Sequence, residues 1–297
     1  MKKVSFAEFG GPDVLQLLDA EEPHAGPGQV RIAVRAAGVN AVDWRLREGQ
    51  RLGPHPIQLP AGVGLDAAGV VDRIGSGVEG VEIGDPVFGE GFSTYAEFAV
   101  LSAWAAMPAG LTFEEAAGYP SVVETALRII GAVGAQSGQT LLVSGAAGGV
   151  GSAVLQIARE RGITVIGTAG AANQDYLRSL GALATTYGEG WVERVRRLGP
   201  VDAALDLAGS GVIRELIELT GDPQRVVSIA DLDAPKLGVR FSGVAGSVPD
   251  ALAEAATLIS QGKLRIPVEK SYSLSEAAAA HIDSQAGHSR GRRVIVI

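Results

Sequence analysis

The sequence predicts an α/β protein built of two parts, one rich in β-strands and one with a parallel sheet. Up to about residue 115, short strand-like stretches follow one another with glycine and proline turns between them, which is typical of a small barrel. Beyond that point strand-like and helix-like stretches alternate, and this alternation predicts a parallel sheet with helices on both faces. Residues 293–297 are again strand-like and are expected to return to the first domain. We therefore expect a discontinuous first domain of residues 1–115 and 267–297, and a second domain of residues 116–266.

The strands of the first domain are predicted from apolar runs and from the alternation of apolar and polar side chains. Residues 30–36 alternate clearly, which is the pattern of a strand with one buried face. Residues 39–47 have the character of a loop that enters a short helix, with Asp43 as a candidate N-cap. Three prolines make residues 51–61 a loop. Strands are expected at residues 4–7, 15–18, 30–36, 67–74, 84–88 and 94–100.

Capping and stop signals mark the helices that follow. Thr112 and Glu115 have the spacing of a capping box, and Gly181 and Gly262 stand where helices are expected to end. Helices are expected at residues 121–133, 175–180, 189–198, 213–219, 249–262 and 274–284, and strands at residues 141–143, 164–167, 202–207, 225–229 and 239–244.

Residues 141–158 carry the clearest functional signal, an apolar strand followed by a glycine turn and a helix. Glycines let backbone N–H groups approach a pyrophosphate closely, and a helix N-terminus adds partial positive charge. The frame departs from the usual GxGxxG pattern by an alanine at its first position. Strand, turn and helix together still predict a dinucleotide site, in which the last glycine lets the helix pack tightly on the strand. The residues expected to bind the cofactor here are Ala146, Gly148, Gly149, Val150 and Gly151.

The residues after the second strand of this domain indicate which dinucleotide binds. An NAD site usually has an acidic residue about 20 positions after the first glycine, to bind the ribose 2′-OH. Here no acid occurs before Asp175, which already belongs to the next helix. The 2′-phosphate of NADP(H) would meet no repulsion, and Thr168, Asn173 and Gln174 could donate hydrogen bonds to it. NADP(H) is therefore favoured, but NAD(H) stays open because this loop has no Lys or Arg, and Asn173 could equally be a helix N-cap.

The amino-acid composition excludes several classes of partner and of catalytic site. The 25 Lys and Arg against 33 Asp and Glu give a net charge of −8, which argues against a nucleic acid or an anionic membrane as main partner. The absence of cysteine excludes disulfides, thiolate catalysis and cysteine-based zinc sites. Without a signal peptide pattern or an apolar stretch of membrane-spanning length, we expect a cytoplasmic protein. The histidines show no ligand spacing, so we expect no metal site and place them on the surface or in loops: His24, His55, His281 and His288.

A family resemblance is carried by stretches spread over nearly the whole chain, residues 36–49, 59–78, 83–89, 93–100, 141–158, 177–182 and 287–297. They resemble the zinc-independent medium-chain dehydrogenases/reductases of the quinone oxidoreductase (zeta-crystallin-like) type. This resemblance implies a GroES-like β-barrel domain and a Rossmann domain, with the active site in the cleft between them. It also implies a homodimer, for which an edge strand such as the one expected at 239–244 is a candidate interface.

The resemblance also implies roles for individual residues. Asn40 and Thr125 match the asparagine and the threonine that lie near the nicotinamide. Tyr187 matches a tyrosine that contacts the adenosine phosphate of the cofactor, and Arg292 lies where the terminal GR motif approaches the cofactor. Each has an ordinary structural alternative: Asn40 as a turn former, Thr125 inside a helix, Tyr187 in packing at a strand end, and Arg292 as a surface charge.

Two further family positions, Asp43 and Asp66, are expected to serve as a cap and as a structural residue. The family tyrosine that follows the asparagine segment in some members is replaced here by Trp44 and Arg45, which removes a phenolic donor to the substrate.

These observations together predict an NADPH-dependent reductase that transfers a hydride to a quinone or to the β-carbon of an enone; the proton could come from water. Two alternatives stay open. One is an enoyl-thioester reductase of the same family, for which Arg45, Arg47 and Arg51 would be basic residues at the mouth of the cleft. The other is a sensor or structural protein that holds NADPH without turnover.

Overall fold

The computed structural model describes residues 1–50, 56–243, 248 and 250–297. Arg51 of the predicted loop, Val244 of the predicted strand and Pro249 of the predicted helix lie outside the described residues, as does His55. The strands are β1 (Lys2–Phe6), β2 (Gln16–Asp19), β3 (Val30–Val39), β4 (Ala61–Gly62), β5 (Asp66–Ile74), β6 (Pro86–Gly91), β7 (Phe98–Ala106), β8 (Thr140–Ser144), β9 (Thr164–Ala169), β10 (Leu183–Thr186), β11 (Ala203–Asp206), β12 (Val226–Ser228), β13 (Arg240–Phe241), β14 (Val268–Ser273) and β15 (Arg292–Val296). The α-helices are α1 (Ala41–Arg47), α2 (Phe113–Ala117), α3 (Pro120–Val133), α4 (Gly149–Glu160), α5 (Gln174–Ser179), α6 (Trp191–Leu198), α7 (Ile213–Thr220), α8 (Ala251–Ser260) and α9 (Ala277–Ala286).

The chain divides into two compact units. The first consists of residues 1–121, 252–262 and 266–297, and the second of residues 122–251 and 263–265. The strand expected at 293–297 corresponds to β15, which pairs with β3 of the first unit as the sequence predicts.

A six-stranded sheet forms the body of the first unit, in the order β14-β15-β3-β5-β6-β7, and an additional pairing of β3 with β7 closes it into a barrel. The barrel is GroES-like, as the resemblance implied. Its interior is filled by aliphatic side chains that recur at every second position of β3, beginning with Val30, Ile32 and Val34. A smaller sheet, β2-β1-β4, adjoins α9 and the start of the chain in a second apolar cluster.

The strand predicted at 30–36 is confirmed and continues to Val39 as β3: Val30, Ile32, Val34 and Ala36 are buried, whereas Ala33 is half-buried and Arg35 is exposed. β3 pairs with β15, β5 and β7 and also contacts α2 and α9. Arg31, on the polar face, is only 2 % exposed because its guanidinium pairs with Asp72 at 2.6 Å and with Glu22 at 2.9 Å. A polar residue in an alternating strand can therefore be buried when ion pairs satisfy it.

The strand expected at 94–100 begins later, as β7 at Phe98. The residues before it pair with β1 instead, because Val4 N donates to Tyr95 O at 2.9 Å and Lys3 forms a β-bridge with Ala96. The capping box at the start of α2 is confirmed: Thr112 Oγ1 accepts from Glu115 N at 3.2 Å, and Thr112 N donates to the Glu115 carboxylate at 3.1 Å.

The second unit is built on a parallel sheet in the order β10-β9-β8-β11-β12-β13. Numbered within this sheet, the order is 3-2-1-4-5-6, that of dinucleotide-binding Rossmann folds. The direction of winding reverses between β8 and β11, and ligands of such sheets bind outside the carboxyl ends of the strands at this point. β10 was not predicted from the sequence, because its short LATT run lacks a clear apolar pattern.

Candidate active site

The glycine turn after β8 has the geometry that a pyrophosphate site requires. Gly145 has a φ of +83°, a backbone conformation that side chains rarely adopt. A Cβ on Gly151 would lie 2.5 Å from Ala146 O, so only glycine lets α4 pack this closely on the end of the strand. A Cβ on Gly148 would meet nothing nearer than Gly145 O at 3.8 Å. The turn is thus closed on the strand side and open at Gly148.

The N-terminus of α4 has no side-chain cap, since its N-cap residue is Gly148. Its first N–H groups are therefore available to an anion, and the helix dipole favours negative charge there. The turn follows the carboxyl end of β8, the strand beside the winding reversal. Gly148, Gly149 and Val150 are half-buried, whereas Ala146 is fully buried within the turn. The residues present fit the pyrophosphate of a dinucleotide.

The carboxyl end of β9 holds the residues expected to select the dinucleotide. Thr168 is 2 % exposed and its hydroxyl lies 3.5 Å from Val143 O, inside the sheet. Gln174 Nε2 donates to the carbonyls of Ala169 and Thr185 at 3.0 and 3.1 Å. Both predicted donors are thus directed at backbone carbonyls, away from a 2′-phosphate. Asn173 is the N-cap residue of α5, as the structural alternative expected, but without a side-chain cap hydrogen bond, and it is half-buried.

Tyr187 lies beside this same loop. Its side chain is 53 % exposed, and its hydroxyl would be 3.4 Å from a Cβ on Gly170, the residue that follows β9. A half-exposed phenol is poorly suited to packing at a strand end, but it can donate a hydrogen bond to a ligand. The structure thus brings Tyr187 together with the loop that contains Asn173.

Asn40 belongs to a buried polar network in the first unit. Its Nδ2 donates to Asp66 Oδ2 at 2.9 Å, and its Oδ1 accepts from Arg292 Nη2 at 2.9 Å. Arg292 Nη2 also lies 3.3 Å from Asp66 Oδ2. Arg292 is 6 % exposed, so the alternative of a surface charge is wrong. The two partners hold the Asn40 amide in one orientation.

Asp66 connects this network to the first turn of α3. Its Oδ1 accepts from Ser121 N at 3.0 Å and also from the Ser121 hydroxyl. Burial raises the pKa of Asp66, and the Arg292 guanidinium opposes the rise. The structural role expected for Asp66 agrees with these contacts. Ser121 was not predicted as a site residue, because no local pattern marks a partner 55 positions away.

Asp43 caps α1, but from inside the helix. The N-cap is Asn40, so the prediction of Asp43 at that position is wrong. Asp43 is the third helical residue, and its Oδ2 accepts from Asn40 N at 2.8 Å and from the Tyr95 hydroxyl at 2.9 Å. Burial raises the pKa of Asp43 from 3.8 to about 7, and the negative charge of Asp66 adds to the rise. The carboxyl group therefore titrates near neutral pH.

Thr125 lies half-buried on α3 in the second unit. Its Oγ1 accepts from Arg128 Nη2 at 3.3 Å, while Arg128 also pairs with Glu124 at 2.9 Å and donates to the Ser242 carbonyl. Because Arg128 donates to the threonine oxygen, the hydroxyl proton of Thr125 is left to donate to another acceptor.

Two basic residues are placed differently from expectation. Arg47 is fully buried, where its Nε donates to Gly10 O at 3.0 Å and its Nη2 pairs with Glu48 at 2.9 Å. It is therefore not an exposed basic residue, as the enoyl-thioester alternative would need. His281, expected on the surface or in a loop, is also fully buried, with Nδ1 3.3 Å from Arg47 Nη1. Burial and the Arg47 charge lower the pKa of His281 to about 3.

Comparisons with known proteins identify the family. Residues 26–117 match the alcohol dehydrogenase GroES-like domain, and residues 180–295 match the zinc-binding dehydrogenase family. A quinone oxidoreductase of Pseudomonas aeruginosa is 30 % identical over 325 residues, which cover 99 % of each chain. The chain belongs to the zinc-independent quinone oxidoreductase family of medium-chain dehydrogenases/reductases.

Two further similar proteins support this assignment. The quinone oxidoreductase structure from Coxiella burnetii is 32 % identical and superposes with a TM-score of 0.87, covering 100 % of this chain and 99 % of that one. An NADPH-dependent alkenal/one oxidoreductase of Arabidopsis thaliana is 31 % identical, over 99 % of this chain and 79 % of that protein.

One family model carries zinc binding in its description. Among the residues that the structure describes, no group of three or more His, Asp or Glu is placed to hold a metal ion, and the sequence has no cysteine. Within the same described ranges, no helix combines the length and the apolar character needed to cross a bilayer.

Proposed function

We propose that this protein is an NADPH-dependent reductase that transfers a hydride to a quinone or to the β-carbon of an activated enone. The observation that carries the proposal is the open glycine turn before an uncapped helix N-terminus, at the winding reversal of a parallel sheet. The relatives bear out the prediction of an NADP(H)-dependent oxidoreductase with a small-molecule substrate, since they include quinone oxidoreductases and an NADPH-dependent alkenal/one oxidoreductase.

The second unit holds the nucleotide in this proposal. The turn residues donate backbone N–H groups to the pyrophosphate, while Tyr187 and Asn173 bind the phosphate on the adenosine ribose. NADPH, when bound, supplies the hydride from its nicotinamide ring. Thr168 supports the end of β9 from inside the sheet. The domain limits that go with this proposal are residues 1–115 and 267–297 for the catalytic domain and 116–266 for the nucleotide domain. The residues assigned to the turn are Ala146, Gly148, Gly149, Val150 and Gly151.

Asn40 and Thr125 are the proposed catalytic residues, near the nicotinamide. The support for Asn40 is its fixed amide, which Asp66 and Arg292 hold from both ends. We assign to Arg292 an action on the cofactor through Asn40, because the guanidinium itself is buried. The support for Thr125 is its hydroxyl proton, which Arg128 leaves available for donation. Water supplies the proton that completes the reduction.

The homodimer and the cytoplasmic location remain predictions. β13 is the last strand of the parallel sheet and pairs with β12 on one side, which is consistent with a second copy adding its own strand there. Analytical ultracentrifugation tests the dimer directly: a monomeric sedimentation coefficient at micromolar concentration would contradict it.

The first experiment compares thermal unfolding with NADPH, with NADH and without nucleotide. A ligand at about 100 times its dissociation constant adds about 2.7 kcal/mol to the stability, so we expect a clear rise in Tm with NADPH and a smaller one with NADH. Oxidation of NADPH with 9,10-phenanthrenequinone or a simple enone then separates an enzyme from a binding protein. No Tm shift with either nucleotide would contradict the proposal, and an equal or larger shift with NADH would contradict the NADPH preference.

A matched pair of variants locates the binding site. Gly148→Asp places a negative charge at the pyrophosphate and should abolish the Tm shift with NADPH. Gly148→Ala is the control, because its Cβ would meet no atom nearer than 3.8 Å, and it should keep the fold. An unchanged NADPH affinity in Gly148→Asp would show that the pyrophosphate lies elsewhere.

A further inference from the structure

We infer that Arg194 determines the preference for a 2′-phosphorylated dinucleotide, by holding the loop that carries Tyr187 and by supplying a positive charge beneath it. The inference rests on the proposed function and deepens it. The loop after β9 contains no Lys or Arg, although a 2′-phosphate carries nearly two negative charges at neutral pH. A cation for it has to come from another part of the chain.

The Arg194 side chain binds the carbonyl oxygens of four consecutive residues. It projects from α6, where its Nη1 donates to Glu189 O at 2.8 Å. Its Nη2 lies 3.2 Å from both Thr186 O and Tyr187 O, and 3.4 Å from Gly188 O. A planar guanidinium with donors in a fixed fork is suited to such a set of acceptors. Residues 186–189 therefore bend around Arg194.

Two glycines allow the loop to take this path. Gly188 and Gly190 have φ values of +90° and +69°, in the left-handed region. A Cβ on Gly190 would lie 3.4 Å from Arg194 Nη1. The loop between β10 and α6 is thus wrapped closely on the guanidinium, and Arg194 fixes the backbone from which the Tyr187 ring extends.

The charge of Arg194 is not neutralised by a carboxylate within the described residues. The neighbouring Arg196 on the same helix pairs with both Glu193 and Glu218, and Arg178 pairs with Asp175. Arg194 has only carbonyl partners, and its Nε is buried without a hydrogen-bond partner in the described part of the chain. A full positive charge therefore remains under this loop.

The loop held by Arg194 adjoins the place where the ribose phosphate is expected. The Tyr187 hydroxyl would be 3.4 Å from a Cβ on Gly170, at the carboxyl end of β9. A 2′-phosphate at this end of the strand would accept from Tyr187 and would feel the Arg194 charge through the backbone between them. At a separation of roughly 10 Å near the surface, with screening by salt over a Debye length of about the same size, a dianion should gain about tenfold in affinity from this charge.

Calorimetric titration with 2′,5′-ADP and with 5′-AMP tests the inference, because the two ligands differ only in the 2′-phosphate. In Arg194→Met, 2′,5′-ADP should bind about tenfold more weakly, while the affinity for 5′-AMP should change by less than about twofold. Arg194→Gln should show the same selective loss, because it keeps a donor for the carbonyls but has no charge. If the Met variant does not fold, Arg194→Gln carries the comparison. Tyr187→Phe should also weaken 2′,5′-ADP selectively.

Arg197→Met is the matched control, since it removes one charge from an exposed position of the same helix and should leave both affinities unchanged. Equal weakening of the two ligands in the Arg194 variants would overturn the inference, and so would no weakening. If the wild-type protein itself binds 2′,5′-ADP no better than 5′-AMP, the proposed NADP(H) preference fails as well. If the wild type prefers 2′,5′-ADP and the Arg194 variants keep the same preference, the role inferred for Arg194 is refuted, but the NADP(H) preference stands.

Discussion

Asp43→Asn should make the stability of this protein less dependent on pH. Asp43 is buried, and its pKa rises from 3.8 to about 7 because burial penalises the carboxylate. Between these two pH values the folded state binds a proton that the unfolded state has lost, so stability falls as pH rises. At about 1.4 kcal/mol per pH unit, a rise of about three pH units corresponds to about 4 kcal/mol. Above about pH 7 the folded state bears the full cost of burying the ionised Asp43 carboxylate.

Asparagine keeps the side-chain oxygen that accepts from Asn40 N and the Tyr95 hydroxyl, but it cannot ionise. The variant should therefore resemble the wild type near pH 4 and become more stable than the wild type as pH rises to about 8, by up to about 4 kcal/mol. His281 acts in the opposite direction: its pKa of about 3 lies below the ordinary 6.5, so the stability it contributes is lost as pH falls. Because His281 is present in both proteins, its contribution cancels in the difference between their free energies of unfolding.

Urea unfolding followed by tryptophan fluorescence measures this difference, since Trp44 directly follows Asp43 on α1. Asp175→Asn is the control, because that carboxylate is fully exposed and water screens its charge. A stability difference between Asp43→Asn and the wild type that stays constant from about pH 4 to about pH 8 would refute the reasoning. An Asp43→Asn variant that is less stable than the wild type at about pH 8 would refute it as well.

Two further substitutions test the packing on which the site depends. Gly151→Ala places a Cβ 2.5 Å from Ala146 O and should cost about 1–3 kcal/mol despite the better helix propensity of alanine, seen as a lower Tm than that of Gly148→Ala; equal Tm values would contradict it. Arg31→Met leaves Asp72 without its partner and should cost about 2 kcal/mol, less than for a fully buried pair because Asp72 and Glu22 are 27 % and 46 % exposed. Urea unfolding measures the loss with the exposed Arg178→Met as control, and a loss no larger than in that control would show that the ion pairs contribute little.

Much of the fold could be predicted because its signals are local. The glycine turn, the apolar run of β8 and the capping box of α2 each lie within a few residues, and the structure contains all three. The parallel sheet follows from alternation of strand and helix, and matched motifs along the chain identified the family. The exceptions have physical causes: β10 is too short to show a pattern, and Arg31 of β3 is buried because of ion pairs that the alternation of the strand does not reveal.

The candidate site depends much more on tertiary structure. Arg292 lies 252 positions from Asn40, whose oxygen it binds, and no spacing in the sequence signals that approach. Arg47 and His281 are 234 positions apart and become buried together, which reverses the surface roles expected from their polarity. The helix that carries Arg194 was predicted, but the path that bends its neighbouring loop around the guanidinium was not.

The sequence by itself therefore determined the order of the elements, the nucleotide turn and the family, because those depend on contacts between near neighbours in the chain. Tertiary structure alone decided which polar side chains are buried, what they bind and which charges stay unpaired. Burial makes an unsatisfied polar group costly, so each such side chain is held by partners that only the folded chain brings within reach. Burial in the folded chain raises the pKa of Asp43, and the folded loop surrounds Arg194 with backbone carbonyls that carry no neutralising charge.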